Sequence, residues 1–207
     1  MGNKEIIIWL AVLLAVYMAV EVFTPQIKGY LGEKYISIIL SRLPKNHYRA
    51  INNVLMKKSN GETTQIDHIV VSNYGIFVIE TKNYKGLITG GEYVAQWTKH
   101  MGRKKYKFQN PIRQNYGHIK AMEEALSIPK DAFIPIIVFS PDAKLKVNCK
   151  TPVINNGWLQ KTITSYKEPK LGDLQVAEVE GKINALNIYT KKAMREHIRR
   201  IREKQSA

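Results

Sequence analysis

The chain has 207 residues, of which 44% are hydrophobic and 24% are charged, which is typical of a globular fold and excludes a disordered chain. An excess of 32 Lys and Arg over 17 Asp and Glu gives a net charge of +15. Such an excess attracts polyanions over a long range, so nucleic acid and anionic lipid are the candidate partners, beside a basic surface without a specific partner. The single cysteine, Cys149, excludes an intrachain disulfide and a zinc site built from cysteines.

The first segment is predicted to be a membrane anchor. Residues 6–23 are apolar except for Glu21, and a bilayer span needs about 17 to 25 such residues. A cleaved signal peptide is the alternative, but no small-x-small cleavage site follows; a buried core helix is another. Positive residues tend to stay on the cytoplasmic side, so a single-pass anchor with the main domain in the cytoplasm is expected from Lys28, Lys34 and Arg42.

The elements after the anchor are predicted from hydrophobic periodicity. A helix is expected at residues 30–43. Strands are expected at residues 48–56, 65–72, 76–82, 133–140 and 153–155. A smaller hairpin is expected from residues 87–89 and 93–98, and a basic loop from residues 99–107. Further helices are expected from Pro111, at the first turn, to about residue 126, and at residues 181–187 and 191–204. The order helix, three strands, helix, strand indicates one mixed α/β domain with a central sheet.

Two acids and a lysine lie at the ends of the second and third strands. A two-residue turn at Asn73-Tyr74 pairs residues whose numbers sum to 147, which sets Asp67 opposite Glu80, with Lys82 on the same face. Two carboxylates and an ammonium group would suit Mg²⁺ and a substrate phosphate. A three-residue loop would instead set Asp67 opposite Thr81. A surface hairpin with ordinary solvated charges is the other interpretation.

Further polar residues extend this candidate site. Gln114 and His118 are four residues apart on the predicted helix, so they share a face. Gln114 could hold a phosphate or a water, whereas a lone histidine such as His118 is more often structural. Glu33 could supply another carboxylate or could only interact with the helix dipole. Trp97 and His68 are expected to be structural.

These residues resemble the NERD (nuclease-related) domain. The resemblance covers roughly residues 28–145 and rests on Gly32-Glu33, Thr64-Gln65-Ile66-Asp67-His68, Tyr74–Lys82, Gly86, Trp97, Asn110–Asn115 and His118. The family is similar to the PD-(D/E)XK nuclease superfamily, which implies a restriction-endonuclease-like αβββαβ core with a central mixed sheet.

The resemblance also implies roles for the site residues. Asp67, Glu80 and Glu33 would bind Mg²⁺ or Mn²⁺, Lys82 would be the catalytic lysine and Gln114 the helix glutamine. In exonuclease-like members the helix often carries the pattern QxxxY. This chain has Gln114 at the first position of the pattern and His118 in place of the tyrosine. Ile66 stands where the superfamily name has proline.

The expected domains are therefore residues 1–27 as anchor and linker, 28–165 as the nuclease-like domain and 166–207 as a basic helical extension. Residues 191–204 could follow DNA phosphates, lie on anionic lipid or form a solvated helix. The expected function is hydrolysis of phosphodiester bonds, with DNA as the favoured substrate. A membrane-tethered module that binds nucleic acid or lipid without catalysis is the alternative.

Overall fold

The computed structural model describes residues 2, 5, 9, 12–14, 17, 29 and 31–206. Its central sheet has the strand order β1-β2-β3-β7-β9. Its strands are β1 (Tyr48–Lys57), β2 (Thr63–Ser72), β3 (Gly75–Lys82), β7 (Phe133–Phe139) and β9 (Val153–Asn155). The first three are antiparallel, and β7 pairs in parallel with β3 and β9. The predicted mixed α/β fold with a central mixed sheet is confirmed.

Helices cover both faces of the central sheet. One layer contains α1 (31–41) and α3 (Leu159–Ser165), which bury Ile36, Leu40 and Ile163 against the sheet. The other contains α2 (Pro111–Leu126) and α4 (Asp173–Leu186), with Met122 and Val179 in its core. Because both faces are covered, β3 and β7 read as continuous apolar runs rather than alternating ones.

A second sheet was only partly predicted. It has the order β6-β5-β4-β8 and consists of β4 (Gly86–Gly91), β5 (Gln96–Met101), β6 (Lys104–Gln109) and β8 (Ala143–Asn148). The predicted basic loop at residues 99–107 is wrong, because these residues form most of the β5–β6 hairpin. Lys105 and Lys107 alternate with Tyr106 and Phe108 along β6, so the high charge concealed a strand of period two.

The core of the second sheet joins it to the main domain. Trp97 is fully buried and stacks on Phe139 of β7, with ring centroids 6.1 Å apart and planes at 4°. The expectation that Trp97 is a core residue is confirmed. Its indole nitrogen donates to the carbonyl of Gly91 at 3.0 Å.

The C-terminal extension is only partly separate from the nuclease-like domain. α4 contributes Val176, Val179 and Ile183 to the same core as Ile119 and Met122 of α2. It is followed by α5 (Lys191–Ser206), which carries the basic residues of the tail.

The predicted anchor at residues 6–23 lies mostly outside the described residues. Residues 9, 12–14 and 17 of this segment are described, and they are helical and exposed. In the part of the chain that the structure describes, no helix is both long and apolar enough to span a bilayer.

Gly75 sets the turn between β2 and β3. It has φ +129°, and an added Cβ would lie 2.8 Å from the carbonyl oxygen of Ala132. Gly75→Ala should therefore lower the free energy of unfolding by about 1–3 kcal/mol in urea titrations. Gly181→Ala is the control, because Gly181 lies in α4 with open space around it. That substitution should be stabilising by up to about 1 kcal/mol, and equal effects of the two would contradict the assigned role of Gly75.

Candidate active site at the end of the central sheet

Asp67 lies at the edge of the site, one residue beyond the last pair of the β2–β3 ladder. Its pairs run from Ser72–Gly75 to His68–Ile79, so residue numbers sum to 147 and the predicted two-residue turn is confirmed. Beyond His68 the strands diverge, and the Asp67 carboxylate turns to Thr81. Asp67 Oδ2 accepts hydrogen bonds from the Thr81 amide at 2.9 Å and from its hydroxyl at 2.6 Å.

A local break in β2 explains why Asp67 is aimed this way. Ile66 and Ile69 pack in the same core layer although they are three residues apart, so the face alternation slips between them. On the neighbouring strand Asn53 adopts φ +54° beside the same point. The register of β1 and β2 is unchanged across this point, because Asn52–His68 and Val54–Ile66 are both paired, so the slip involves no inserted residue.

Glu80 and Lys82 form a buried ion pair. Lys82 Nζ donates to Glu80 Oε1 at 2.7 Å and to Gln114 Oε1 at 2.9 Å, and Glu80 is only 2% exposed. Alternation along β3 places both residues on one face, as predicted, and the contacts with Gln114 and His118 show that this face is toward α2. The structure thus brings Glu80, Lys82 and Gln114 into direct contact.

His118 holds the other oxygen of Glu80. Its Nε2 lies 3.2 Å from Glu80 Oε2 and its Nδ1 lies 2.8 Å from Thr64 Oγ1. Since a carboxylate only accepts, Nε2 donates to Glu80, and Nδ1 shares the second hydrogen bond with the Thr64 hydroxyl. His118 therefore positions Glu80, which agrees with its expected structural role.

Asn110 fixes the start of the helix that carries Gln114 and His118. It is fully buried, and its Oδ1 accepts from the amide of Ile112 at 2.9 Å. Its amide nitrogen donates to the carbonyls of Gly91, Glu92 and Val94. The Asn110-Pro111 pair is thus both an N-cap and a tie to the second sheet.

His68 was expected to be structural, and the structure agrees. It is fully buried, and its Nδ1 lies 2.7 Å from Asn52 Oδ1. Its Nε2 is buried and has no hydrogen-bond partner among the residues that the structure describes. Burial lowers the pKa of His68 to about 4 despite the opposing effect of Glu80.

Electrostatic coupling links Glu33 on α1 to the two acids. Gly32 packs against Asn83, and an added Cβ there would lie 3.1 Å from the Asn83 side chain. Burial, followed by the charges of Asp67 and Glu80, raises the pKa of Glu33 to about 7. Glu33 also lines a cavity together with Thr81 and Lys82, at the end of β3.

The acids of the site have pKa values shifted in opposite directions. Burial, then Glu80, raises the pKa of Asp67 to about 6, although Thr81 and Lys82 oppose this. Burial also disfavours the charged form of Glu80, but Lys82 and His118 outweigh it, so the pKa of Glu80 lies below its usual value. For Lys82, burial lowers the pKa, but Glu80, Tyr84 and Asp67 together outweigh it and raise the pKa, so Lys82 is an ammonium ion at neutral pH.

The residue types fit a hard divalent cation. Asp67 and Glu33 are carboxylates whose charged forms disfavour each other, and a cation would relieve that repulsion. Glu80 already shares its oxygens with Lys82 and His118. As they stand in the described part of the chain, no three His, Cys, Asp or Glu side chains are grouped closely enough to hold a metal ion.

A basic cavity of about 500 Å³ opens on the α2 side of these residues. It is lined by Asp67, Gln114 and His118 and also by Lys58, Arg113, His197 and Arg200. His197 Nδ1 lies 2.7 Å from Thr63 Oγ1, which docks α5 against β2. Burial and then the charges of His118, Lys58 and Arg200 lower the pKa of His197. The sequence singled out neither Arg113 nor Arg200, because nothing in the order of residues brings α5 to α2.

The acid cluster should make stability depend on pH. The pKa of Glu33 rises from 4.5 to about 7 on folding and that of Asp67 from 3.8 to about 6. The folded state binds more protons in this interval, so their contribution to stability is full below pH 4 and is lost as pH rises to about 7. Glu33→Gln should therefore raise Tm at pH 8 in EDTA, by about 2–4 °C for each kcal/mol relieved.

The same substitution at pH 4 should change Tm little, because Glu33 is then protonated. Glu178→Gln is the matched control, since Glu178 is exposed on α4 and pairs only with Lys182. A Tm of Glu33→Gln that is raised equally at both pH values would show that charge repulsion is not the cause.

Comparison with known proteins agrees with this geometry. The family model for the nuclease-related domain matches residues 28–140, a range that contains Glu33, Asp67, Glu80, Lys82 and Gln114. An uncharacterized protein of Bacillus anthracis is 39% identical over 202 residues, covering 96% of this chain and 95% of the relative. No solved structure matches the chain significantly. The chain therefore belongs to the nuclease-related domain (NERD) family, which is associated with the PD-(D/E)XK-like nuclease superfamily.

Proposed function

We propose that this protein is a membrane-anchored, metal-dependent hydrolase of phosphodiester bonds in nucleic acid, with DNA as the favoured substrate. The observation that carries the proposal is the contact of Glu80, Lys82 and Gln114, because Gln114 also lines the basic cavity together with Asp67. Residues 6–23 are the proposed anchor, and the main domain is proposed to face the cytoplasm, on the positive-inside rule.

Asp67, Glu80 and Glu33 are the residues that would hold Mg²⁺ or Mn²⁺. When bound, such an ion polarises the scissile phosphate and lowers the pKa of an attacking water. Since Glu80 is buried and shared with Lys82 and His118, its orientation is fixed before any ligand arrives. Such preorganisation avoids a reorganisation cost during the reaction.

Lys82 would act as a fixed positive charge. Because its pKa is raised by Glu80, it remains protonated and is not a general base at neutral pH. Its ammonium can donate to the phosphoryl oxygens that gain negative charge during hydrolysis. Gln114, which accepts from Lys82, orients that ammonium and leaves its own amide to donate to a substrate oxygen.

The walls of the cavity support a polyanionic substrate. Arg113 and Arg200 are exposed at its rim and make no ion pair within the described residues. A carboxylate cluster alone would repel a phosphate, and these cations oppose that repulsion. The basic tail is therefore proposed to contact nucleic acid beside the site, and contact with anionic lipid remains its alternative.

Glu80→Gln tests the catalytic proposal. The amide keeps an acceptor for Lys82 but removes the negative charge, so Mg²⁺-dependent cleavage of a labelled DNA should fall by about 10²-fold or more. Glu80→Gln also leaves the Lys82 ammonium without its counter-charge, so circular dichroism and Tm are measured first to establish that the variant is folded. Lys82→Ala should also abolish cleavage, but it leaves a buried carboxylate unpaired and can cost about 3–5 kcal/mol of stability. Glu80→Gln is therefore the cleaner variant.

Glu178→Gln again serves as the control, and its cleavage rate should equal that of the wild type. Full Mg²⁺-dependent cleavage by a folded Glu80→Gln protein would overturn the assignment.

A non-catalytic nucleic-acid-binding module is the second candidate. It is favoured by one observation: both oxygens of Glu80 are already satisfied by protein groups, Lys82 and His118. This function predicts salt-sensitive binding of DNA, no turnover with Mg²⁺ or Mn²⁺, and equal affinity in wild type and Asp67→Asn.

A further inference from the structure

We propose that the outer face of the second sheet binds the phosphate backbone of a single nucleic-acid strand and leads it into the cavity. The outer face is defined by Lys105, Lys107 and Gln109 of β6, His100 of β5, and Lys144 and Lys146 of β8. The inference rests on the proposed function for the identity of its ligand, but it concerns a surface outside the acid cluster.

The strand register places these residues on one face. Trp97 is opposite Phe108, and Ile88 is beside Leu145, and all four pack into the core. Their neighbours along each strand must therefore point outward. Lys105 is then opposite His100, and Lys107 is opposite Thr98.

The outer face also includes residues of β8, the edge strand of the second sheet opposite β6. Lys144 and Lys146 of β8 are in register with Leu87 and Thr89 of β4. Thr89 Oγ1 lies 3.0 Å from His100 Nε2, so β4 and β5 point these side chains the same way. The outer face therefore extends across all four strands.

The outer face carries uncompensated positive charge. Lys105, Lys107, Lys144 and Lys146 are all exposed, and none makes an ion pair within the described residues. None of the four strands contains an Asp or a Glu. A solvated sheet surface usually mixes both signs of charge, so a face without acids is suited to a polyanion.

The outer face is continuous with the cavity. Alternate residues of a strand are about 6.8 Å apart, so Lys105, Lys107 and Gln109 form a straight row along β6. Gln109, the last of the row, lines the cavity together with Asp67 and Gln114. Arg113, which follows in the first turns of α2, lines it as well. A strand bound along this row is thus directed to the acids.

The chemistry of the face favours nucleic acid over a membrane. Elements that lie on a bilayer insert a broad apolar face, whereas the outer face consists mainly of Lys, Thr, Gln and His. A single strand is favoured over a duplex, because DNA duplexes are stiff over about 150 base pairs and cannot bend into a cavity of about 500 Å³. Basic grooves that follow one backbone are typical of proteins that bind single strands.

The test measures binding rather than cleavage. The full-length protein, in EDTA, is titrated into a fluorescein-labelled 20-nucleotide single-stranded DNA, and anisotropy is recorded over a salt series. Two double variants are compared with wild type: K105Q/K107Q and K144Q/K146Q. Each neutralises two phosphate contacts, so the slope of log affinity against log salt should fall by about 1.4, equivalent to roughly 25-fold weaker binding at 0.1 M salt.

Three controls separate this surface from general charge. K161Q/K167Q removes the same charge from α3 and the segment after it, where Lys161 and Lys167 lie over the rings of Trp158 and Tyr74, and it should bind like wild type. K105R/K107R keeps the charge and should keep the affinity. Glu80→Gln, which tests catalysis, should also bind, so loss of cleavage does not imply loss of this surface.

Unchanged binding in both outer-face variants, or an equal loss in K161Q/K167Q, would overturn the inference. Tighter binding of a 20-base-pair duplex than of the single strand would overturn the choice of ligand. Vesicles containing phosphatidylserine are the final arm: if K105Q/K107Q weakens only vesicle binding, the outer face is a membrane surface and the proposal is wrong.

Discussion

The buried pair of Glu80 and Lys82 is the interaction on which the site depends. A carboxylate that is 2% exposed is tolerated because an ammonium and an imidazole N–H each bond one of its oxygens. Those partners come from β3 itself and from α2, so the pair also fixes how the helix sits on the sheet. Stability and the geometry of the site are therefore consequences of the same contacts.

Two further acids near this pair, Glu33 and Asp67, disfavour each other's charged forms. Glu33 and Asp67 retain raised pKa values because they are buried near each other and near Glu80. Folds keep such repulsion mainly where a ligand relieves it, and clustered perturbed acids are typical of functional sites. The excess of lysine and arginine on the surrounding surfaces gives the opposite field, which under the proposed function would draw a polyanion toward the acids.

The peripheral elements extend this arrangement beyond the αβββαβ core. α5 reaches the cavity through the contact of His197 with Thr63, and the second sheet reaches it through Gln109. Both are rich in basic residues, and both contact the core next to the ends of β2 and α2. Substrate binding and metal binding would thus be divided between attached elements and core.

The sequence by itself determined most of the local elements of the central sheet and which residue types lie at its end. The Asn73-Tyr74 turn fixed the register of β2 and β3, and Asn110-Pro111 fixed the start of α2, because both depend on neighbours in the chain. Tertiary structure alone decided the turn of Asp67 toward Thr81, the parallel pairing of β4 with β8, and the docking of α5. These depend on contacts between residues far apart in sequence, which local periodicity does not encode. The lysine-rich strands of the second sheet were also missed by the sequence prediction. Their inward apolar residues are few, and the lysines between them made the segment resemble a charged loop.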